Sequence, residues 1–219
     1  MSDNQQENTN TIRERVIEIA GEKMRRVGIK SISVDDLCRE MGMSKKTFYV
    51  YFETKDELIR ALLRRHEQRI EEAFHRNTDG KPIIDILLEG WVKAMQEKDV
   101  RKDPPLHYDL QKYYPQLFEE HTESVRVITK RVTRDILVRG VQEGLFRDDL
   151  DVDKTAAIFS FMHHELLNLM ATIGEQYHKT IDEHVRYGID IILRGIISEQ
   201  GSRLVQERVR DMKLCKKKK

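Results

Sequence analysis

Residues 34–52 read Val-Asp-Asp-Leu-Cys-Arg-Glu-Met-Gly-Met-Ser-Lys-Lys-Thr-Phe-Tyr-Val-Tyr-Phe. Two short helical runs flank Met41-Gly42-Met43-Ser44, the pattern of two helices hinged at a tight turn. Gly42 can adopt the left-handed conformation that ends the first helix, and Ser44 can cap the second. Cys38 is small enough to let the two helices approach closely. The pattern is that of a helix-turn-helix, a motif that places its second helix in the major groove of DNA.

At about 100° per residue, Phe48 and Phe52 fall on one side of the second helix, and Lys46, Thr47, Tyr49 and Val50 on the other. One face is predicted to pack and the other to read. Lys45 and Lys46 lie in the first turn, where a lysine can donate to guanine O6 or N7. Their charges oppose the helix dipole, so a phosphate or base acceptor is the natural compensation. Thr47, Tyr49 and Tyr51 offer hydroxyls to phosphate oxygens, the alternative for the two tyrosines being that they pack. Lys55, opening the next helix, adds a cation for the same purpose. Ser33 and Ser44, which cap the two helices, complete the candidate DNA-contact set.

Working outward, a face of mostly apolar residues recurs at helical spacing, first Ile12, Val16, Ile19, Ala20 and Val27, then Leu58, Leu62, His66, Ile70 and Phe74. A hydroxyl followed three residues later by an acid marks several helix starts: Thr11/Glu14, Ser33/Asp36, Thr54/Glu57 and Thr180/Glu183. With the Gly and Pro punctuation, the expectation is an all-α chain of about nine helices, near 11–27, 34–41, 45–51, 55–76, 82–98, 104–113, 115–143, 153–173 and 180–200. The domains implied are a flexible leader over 1–10, a helix-turn-helix DNA-binding domain over 11–54, a helical effector-binding and dimerisation domain over 55–200, and a basic tail over 201–219.

Over 219 residues, 39 Lys and Arg nearly cancel 38 Asp and Glu, so any nucleic-acid binding must come from a local patch. Two cysteines, Cys38 and Cys215, suggest neither a disulfide framework nor a Cys-based metal site. The chain has no run of about 20 apolar residues and no apolar N-terminal stretch, and it reads as soluble and cytoplasmic, with no membrane association. His163, His164 and Glu165 include common ligand types, but consecutive helical residues diverge by about 100°, so a packed or interface histidine is the better reading than a metal ligand. No nucleophile elbow, phosphate-cradling glycine loop or zincin helix is present, so neither enzyme activity nor a cofactor is expected.

Ala20, Gly28, Ser31, Leu37, Gly42, Ser44, Thr47, Tyr49, Tyr51-Phe52, Lys55 and Leu58 together resemble the N-terminal signature of the tetracycline-repressor (TetR) family. Met24 stands where that family usually has an aromatic, Cys38 where alanine is usual, and Tyr51 where histidine is frequent. Farther on, Tyr113-Tyr114-Pro115 and Gly144-Leu145-Phe146-Arg147-Asp148-Asp149 are similar to family segments, the second to the turn before the dimer helices. The resemblance implies an all-helical homodimer whose C-terminal domain holds a small-molecule pocket, with ligand binding lowering operator affinity.

Beyond residue 82, Trp91, Met95, Phe118, Phe159, Met162 and His163 lie on or near apolar stripes, and Tyr113 adds a polar tip. These seven are the candidate pocket residues, core packing being the alternative for each. Ala156, Phe159, Leu166, Leu167 and Met170, with Ile181, Val185, Ile189, Ile192 and Ile196, carry more apolar surface than a small domain needs, which suggests a four-helix dimer interface. Two-fold symmetry would set two reading heads about 34–36 Å apart on a pseudo-palindromic operator. The expected function is a ligand-responsive repressor of double-stranded DNA operators, released by a small molecule of unknown identity. The alternatives are a regulator without such an inducer and a helical interaction protein.

Overall fold

The computed structural model describes residues 2–78, 80–87, 104–172, 187–188 and 190–216. Its helices are α1 (Ser2–Val27), α2 (Val34–Met41), α3 (Lys45–Tyr51), α4 (Lys55–Thr78), α5 (Pro104–Tyr113), α6 (Pro115–Gln142), α7 (Val152–Thr172) and α8 (Glu199–Lys216). Residues 83–87, 187–188 and 190–196 are helical as well. The chain is all-α, as the periodicity predicts. Among the described residues the only extended pairing is one antiparallel bridge between Phe146 and Ile197. No helix of the described residues is long and apolar enough to cross a membrane.

Two ends differ from expectation. Helix α1 begins at Ser2, where a loose leader was expected over 1–10, and α8 occupies 199–216, where a tail was expected from 201. The expected single helix over 180–200 is interrupted at Ile197-Ser198, which turn back toward Leu145 and Phe146. Most of the expected helix over 82–98 lies outside the described residues.

The chain forms two compact units. The first holds α1 to α4 as far as Arg69, together with α5 and α6 as far as Ser124; the second begins at Ile70 and again at Val125. This division replaces the expected boundary between 54 and 55, and the reason is burial. Leu58, Ile59, Leu62 and Leu63 of α4, with Leu110 of α5 and Leu117 of α6, share one core with Val16, Ala20 and Met24 of α1, Leu37 of α2 and Phe48 of α3. A head cut at residue 54 would lose much of that apolar surface.

The second unit is built on Ile83, Ile84, Leu137, Leu145, Phe146, Ala156 and Ile196. After α6 the chain reverses at Gly144, whose φ of 71° favours glycine. The amide of Ser198 then donates to the Leu145 carbonyl at 3.0 Å, and the Ser198 hydroxyl donates to the Gly144 carbonyl at 2.6 Å. The same hydroxyl oxygen accepts from the Gly201 amide at 2.8 Å, so one side chain both anchors the turn and caps α8.

Gly201 lies against the Leu145 carbonyl, so a Cβ there would strike backbone that cannot swing aside. Gly195 sits on a helical segment with open space around its Cβ position. Gly201→Ala is therefore expected to destabilise by about 1–3 kcal/mol through overpacking. Gly195→Ala is expected to be neutral or stabilising by up to about 1 kcal/mol through helix propensity. Urea midpoints of the two variants at constant m-value check the pair.

Candidate nucleic-acid interface

Ser33 opens α2 with a complete capping box: its Oγ accepts from the Asp36 amide at 3.1 Å, and an Asp36 carboxylate oxygen accepts from the Ser33 amide at 3.0 Å. The hydroxyl proton goes to the same carboxylate at 2.5 Å, and these bonds hold the Asp36 carboxyl below its ordinary range. Helix α2 ends at Gly42, with φ 64° and ψ 30°. The Met43 amide donates to the Cys38 carbonyl at 3.0 Å, closing the turn. Open space surrounds the Cβ position of Gly42, so the turn needs glycine for its backbone angle, not for room. Cys38 itself is buried between neighbours of the head core, and burial pushes its thiol pKa up.

Ser44 caps α3, accepting from the Thr47 amide at 3.0 Å and sharing a hydroxyl hydrogen bond with Thr47 at 2.8 Å. The two faces of α3 separate as the spacing predicts. Phe48 and Phe52 are fully buried with ring centroids 5.7 Å apart, and Arg13 of α1 lies over the Phe52 ring at 4.9 Å. Lys45, Lys46, Thr47, Tyr49 and Val50 are exposed, Val50 at 73%. Tyr51 is half-buried and packs on the head core, while Tyr49 is exposed and makes a T-shaped ring contact with Phe48 at 5.5 Å.

The first turn of α3 holds no acid of its own, but Asp35 of α2 pairs with Lys45 at 2.8 Å. Among the described residues Lys46 has no ion pair, which leaves it the uncommitted cation of the reading helix. Asp35 went unread in the sequence because its partner lies across the turn, although two acids beside two lysines in one motif were a visible signal.

Lys55 does something other than wait for phosphate. Its ammonium reaches back to the turn between α1 and α2, donating to the carbonyls of Ile29 at 2.7 Å and Ile32 at 2.5 Å. Burial pushes its pKa down, and the charge of Asp109 partly offsets this. Asp109 of α5 is buried and accepts from the Lys30 amide at 2.8 Å. The turn at 29–32 is thus held from both sides, carbonyls by Lys55 and an amide by Asp109. Two of the three ammonium donors of Lys55 are engaged inside the fold, and one remains for an outside acceptor.

The candidate pocket residues are not gathered by what is described. Trp91 and Met95 lie outside the described residues, as does the side chain of His163. Phe118 packs on the head core with His107 edge-on to it at 5.1 Å, and Tyr113 lies under the Lys30 ammonium at 4.5 Å. In the second unit, Phe159 packs on the core and Met162 is exposed. Ala156, Phe159, Ile192 and Ile196, read from sequence as dimer surface, likewise serve that core. The next apolar residues round on α7 are left exposed, Ile158 at 55%, Phe161 at 62% and Met162, as are Tyr187 and Ile191 and, elsewhere in the unit, Val127 and Leu204. Leu166, Leu167, Met170, Ile181, Val185 and Ile189 have side chains outside the described set.

Residues 17–62, which carry the whole α2–turn–α3 unit, match the model of bacterial regulatory proteins of the tetR family. The chain is 28% identical over 97 residues to the HTH-type transcriptional regulator UidR of Escherichia coli, covering 44% of this chain and 50% of that one. It is 29% identical over 92 residues to the HTH-type regulator YvdT of Bacillus subtilis, covering 40% and 47%. The chain therefore spans about half the length of these curated relatives. Among solved structures, a TetR-family regulator from Cytophaga hutchinsonii superposes with a TM-score of 0.64 at 19% identity, covering 88% of this chain and 98% of that one. A regulator from Pectobacterium atrosepticum superposes with a TM-score of 0.65 at 14% identity, covering 88% and 97%. At such identities the superpositions speak for the fold.

Removing the Lys55 ammonium takes the side-chain donor from the Ile32 carbonyl and leaves the Ile29 carbonyl with the Ile32 amide at 3.3 Å, so Lys55→Met is expected to destabilise by about 1–3 kcal/mol. Lys46→Ala, at an exposed site, is expected to stay within about 0.5 kcal/mol of the parent. Thermal unfolding of the two variants checks this; equal stabilities would show that Lys55 is no clamp.

Proposed function

We propose that the chain, whose residues 17–62 match the tetR family model, is a DNA-binding transcriptional regulator of that family, a repressor that grips a pseudo-palindromic operator as a homodimer and is released by a small molecule. The observation that carries the DNA half is the outward row of Lys46, Thr47, Tyr49 and Val50 on a helix fixed from behind by Phe48 and Phe52. A rigid back face lets a few exposed side chains meet base edges in a repeatable register.

Within that row the roles divide by chemistry. Lys46 reaches base acceptors such as guanine O6 and N7, and the Val50 methyls suit contact with a thymine methyl. Tyr49 supplies a phenol for a phosphate, which positions without specifying. Ser33 and Ser44 act first as caps, with the Ser33 hydroxyl on Asp36 and the Ser44 hydroxyl joined to that of Thr47. Lys45 must leave Asp35 to take a base or phosphate, an exchange between exposed partners that costs little. Lys55 offers its remaining donor to a phosphate. This is a binding function; no residue is assigned to catalysis.

Homodimerisation is supported by the apolar residues left exposed on α7, Ile158, Phe161 and Met162, with Tyr187 and Ile191. Such a face is costly to leave in water and suits a second copy. Release is a population shift: the effector must bind the DNA-incompetent dimer more tightly than the competent one.

Selection from a random duplex library is expected to recover a palindrome with half-sites about one helical turn apart, bound with a steep fall in affinity as salt rises. On that site Lys46→Ala should relax preference at one base pair of each half-site, by about 1–3 kcal/mol of discrimination. No enriched sequence would return the protein to an interaction role. Sedimentation is expected to give a dimer at micromolar concentration, and a Phe161→Asp variant to shift it toward monomer; a monomeric parent would remove the two-headed reading.

A further inference from the structure

Within the first unit, two histidines from different helices face each other. The Nδ1 of His66 on α4 lies 3.3 Å from the Nε2 of His121 on α6, with ring centroids 5.3 Å apart. On its far side His121 places Nδ1 2.7 Å from a carboxylate oxygen of Glu67, the residue after His66. Glu67 and His121 are largely shielded, with side-chain exposures of 18% and 15%. Nothing in the DNA-binding reading uses this Glu67–His121–His66 chain.

The chemistry of the contact restricts its protonation. An ionised carboxylate only accepts, so the Nδ1 of His121 must carry a proton. Between the two facing nitrogens one must donate and the other accept. With both rings neutral, the Nδ1–H of His66 donates to a bare Nε2 on His121. Adding one proton to His121 makes an imidazolium that still binds Glu67, and its Nε2–H now donates to His66, which has moved its own proton to Nε2. Adding a second proton to His66 leaves N–H groups on both facing atoms and two like charges across 3.3 Å. The contact survives the first proton and fails on the second.

We propose that Glu67, His121 and His66 form a proton-gated latch between α4 and the first part of α6, closed with at most one imidazolium in the pair and opened when both rings are charged. The groups facing His66 set its threshold. Burial is the largest influence and pushes its pKa down; the His121 charge, Arg25 of α1 and Arg69 of α4 push the same way, and Glu67 opposes them. The latch is therefore closed at neutral pH and opens on the acid side of the ordinary histidine value of about 6.5.

The sign of the stability change follows. His66 titrates lower in the folded chain than in the unfolded one, so below about pH 6.5 the unfolded chain binds the extra proton first. Stability is full above that value, falls as pH drops toward the folded pKa of His66, and levels once the folded ring is itself charged. Among the described residues no group of three or more His, Cys, Asp or Glu is arranged to hold a metal ion, so a proton is the ligand this pair fits best.

The test is imidazole nitrogen NMR of the full chain from pH 8 to pH 4.5, which needs no substitution. The expected result is a coupled two-step titration in which the His66 tautomer switches at the first step and the second lies below the ordinary histidine range. Amide exchange over 116–121, corrected for intrinsic rates, is expected to rise at the second step. His66→Gln keeps a neutral hydrogen-bond partner, and it should flatten the pH dependence of folding by about tenfold in equilibrium constant for each unit of displaced titration. Two independent titrations at ordinary values, or the same pH dependence in the parent and His66→Gln, would overturn the latch. A titration altered by a chelator would overturn it in favour of a metal bridge. Operator binding is a separate readout: if no operator is ever found while the titration is coupled, the DNA reading fails and the latch stands.

Discussion

The ammonium of Lys55 lies beneath the turn that joins α1 to α2, donating to the Ile29 and Ile32 carbonyls, and the reading head depends on that arrangement. The six residues between α1 and α2, 28–33, leave carbonyls without helical partners, and a half-buried carbonyl must find a donor. Lys55 supplies it from the first position of α4, immediately after the chain leaves α3. The turn leading from α1 into α2 is thereby tied to the start of α4 by one side chain. Asp109 completes the arrangement from α5 by accepting the Lys30 amide. The desolvation of a cation is offset here by two carbonyl dipoles and a nearby carboxylate, the condition under which buried charge persists.

Much of the head was legible in sequence because its determinants are local. The Ser33/Asp36 box, the left-handed Gly42 and the Ser44 cap are each set within four residues, and each appears where the spacing puts it. The two-faced character of α3 was equally legible, since Phe48 and Phe52 lie one turn apart. What did not show in the sequence is pairwise and distant. Lys55 with Ile29 spans 26 positions, Lys30 with Asp109 spans 79, and His66 with His121 spans 55. No periodicity encodes such pairs; the packing of α4, α5 and α6 makes them.

The second unit was read less well for a related reason. On α7 the stripe at Ala156 and Phe159 and the neighbouring one at Ile158, Phe161 and Met162 are both apolar, and hydrophobicity alone does not say which turns inward. The choice is made by α6 and the segment at 190–196, which bury Ala156 and leave Phe161 in water. Helix α8 escaped for the opposite reason: its sequence is strongly charged, and its contacts with the rest of the unit are scattered, Gln200 beside Gly144, Gly201 on the Leu145 carbonyl, Val205 on the core and Arg208 paired with Asp85. Its start is defined by Ser198, a cap whose second job, holding the Gly144 carbonyl, no local pattern announces.

Two of the three crossings between the compact units occur inside unbroken helices, at Arg69–Ile70 in α4 and at Ser124–Val125 in α6; the third, between residues 100 and 101, lies outside the described residues. Neither of the two helical crossings offers a linker. The first unit cannot be exchanged by a splice at residue 54, which would strand Leu58, Leu62 and Leu117 on the wrong parent. Two routes alter the exposed row of α3 while respecting the shared core: substitution on its outward face, or a graft whose junctions in α4 and α6 fall mid-helix with the rotational phase of both preserved. The first route changes a few exposed side chains and leaves the shared core untouched, so the recognition helix can diversify faster than the frame that holds it.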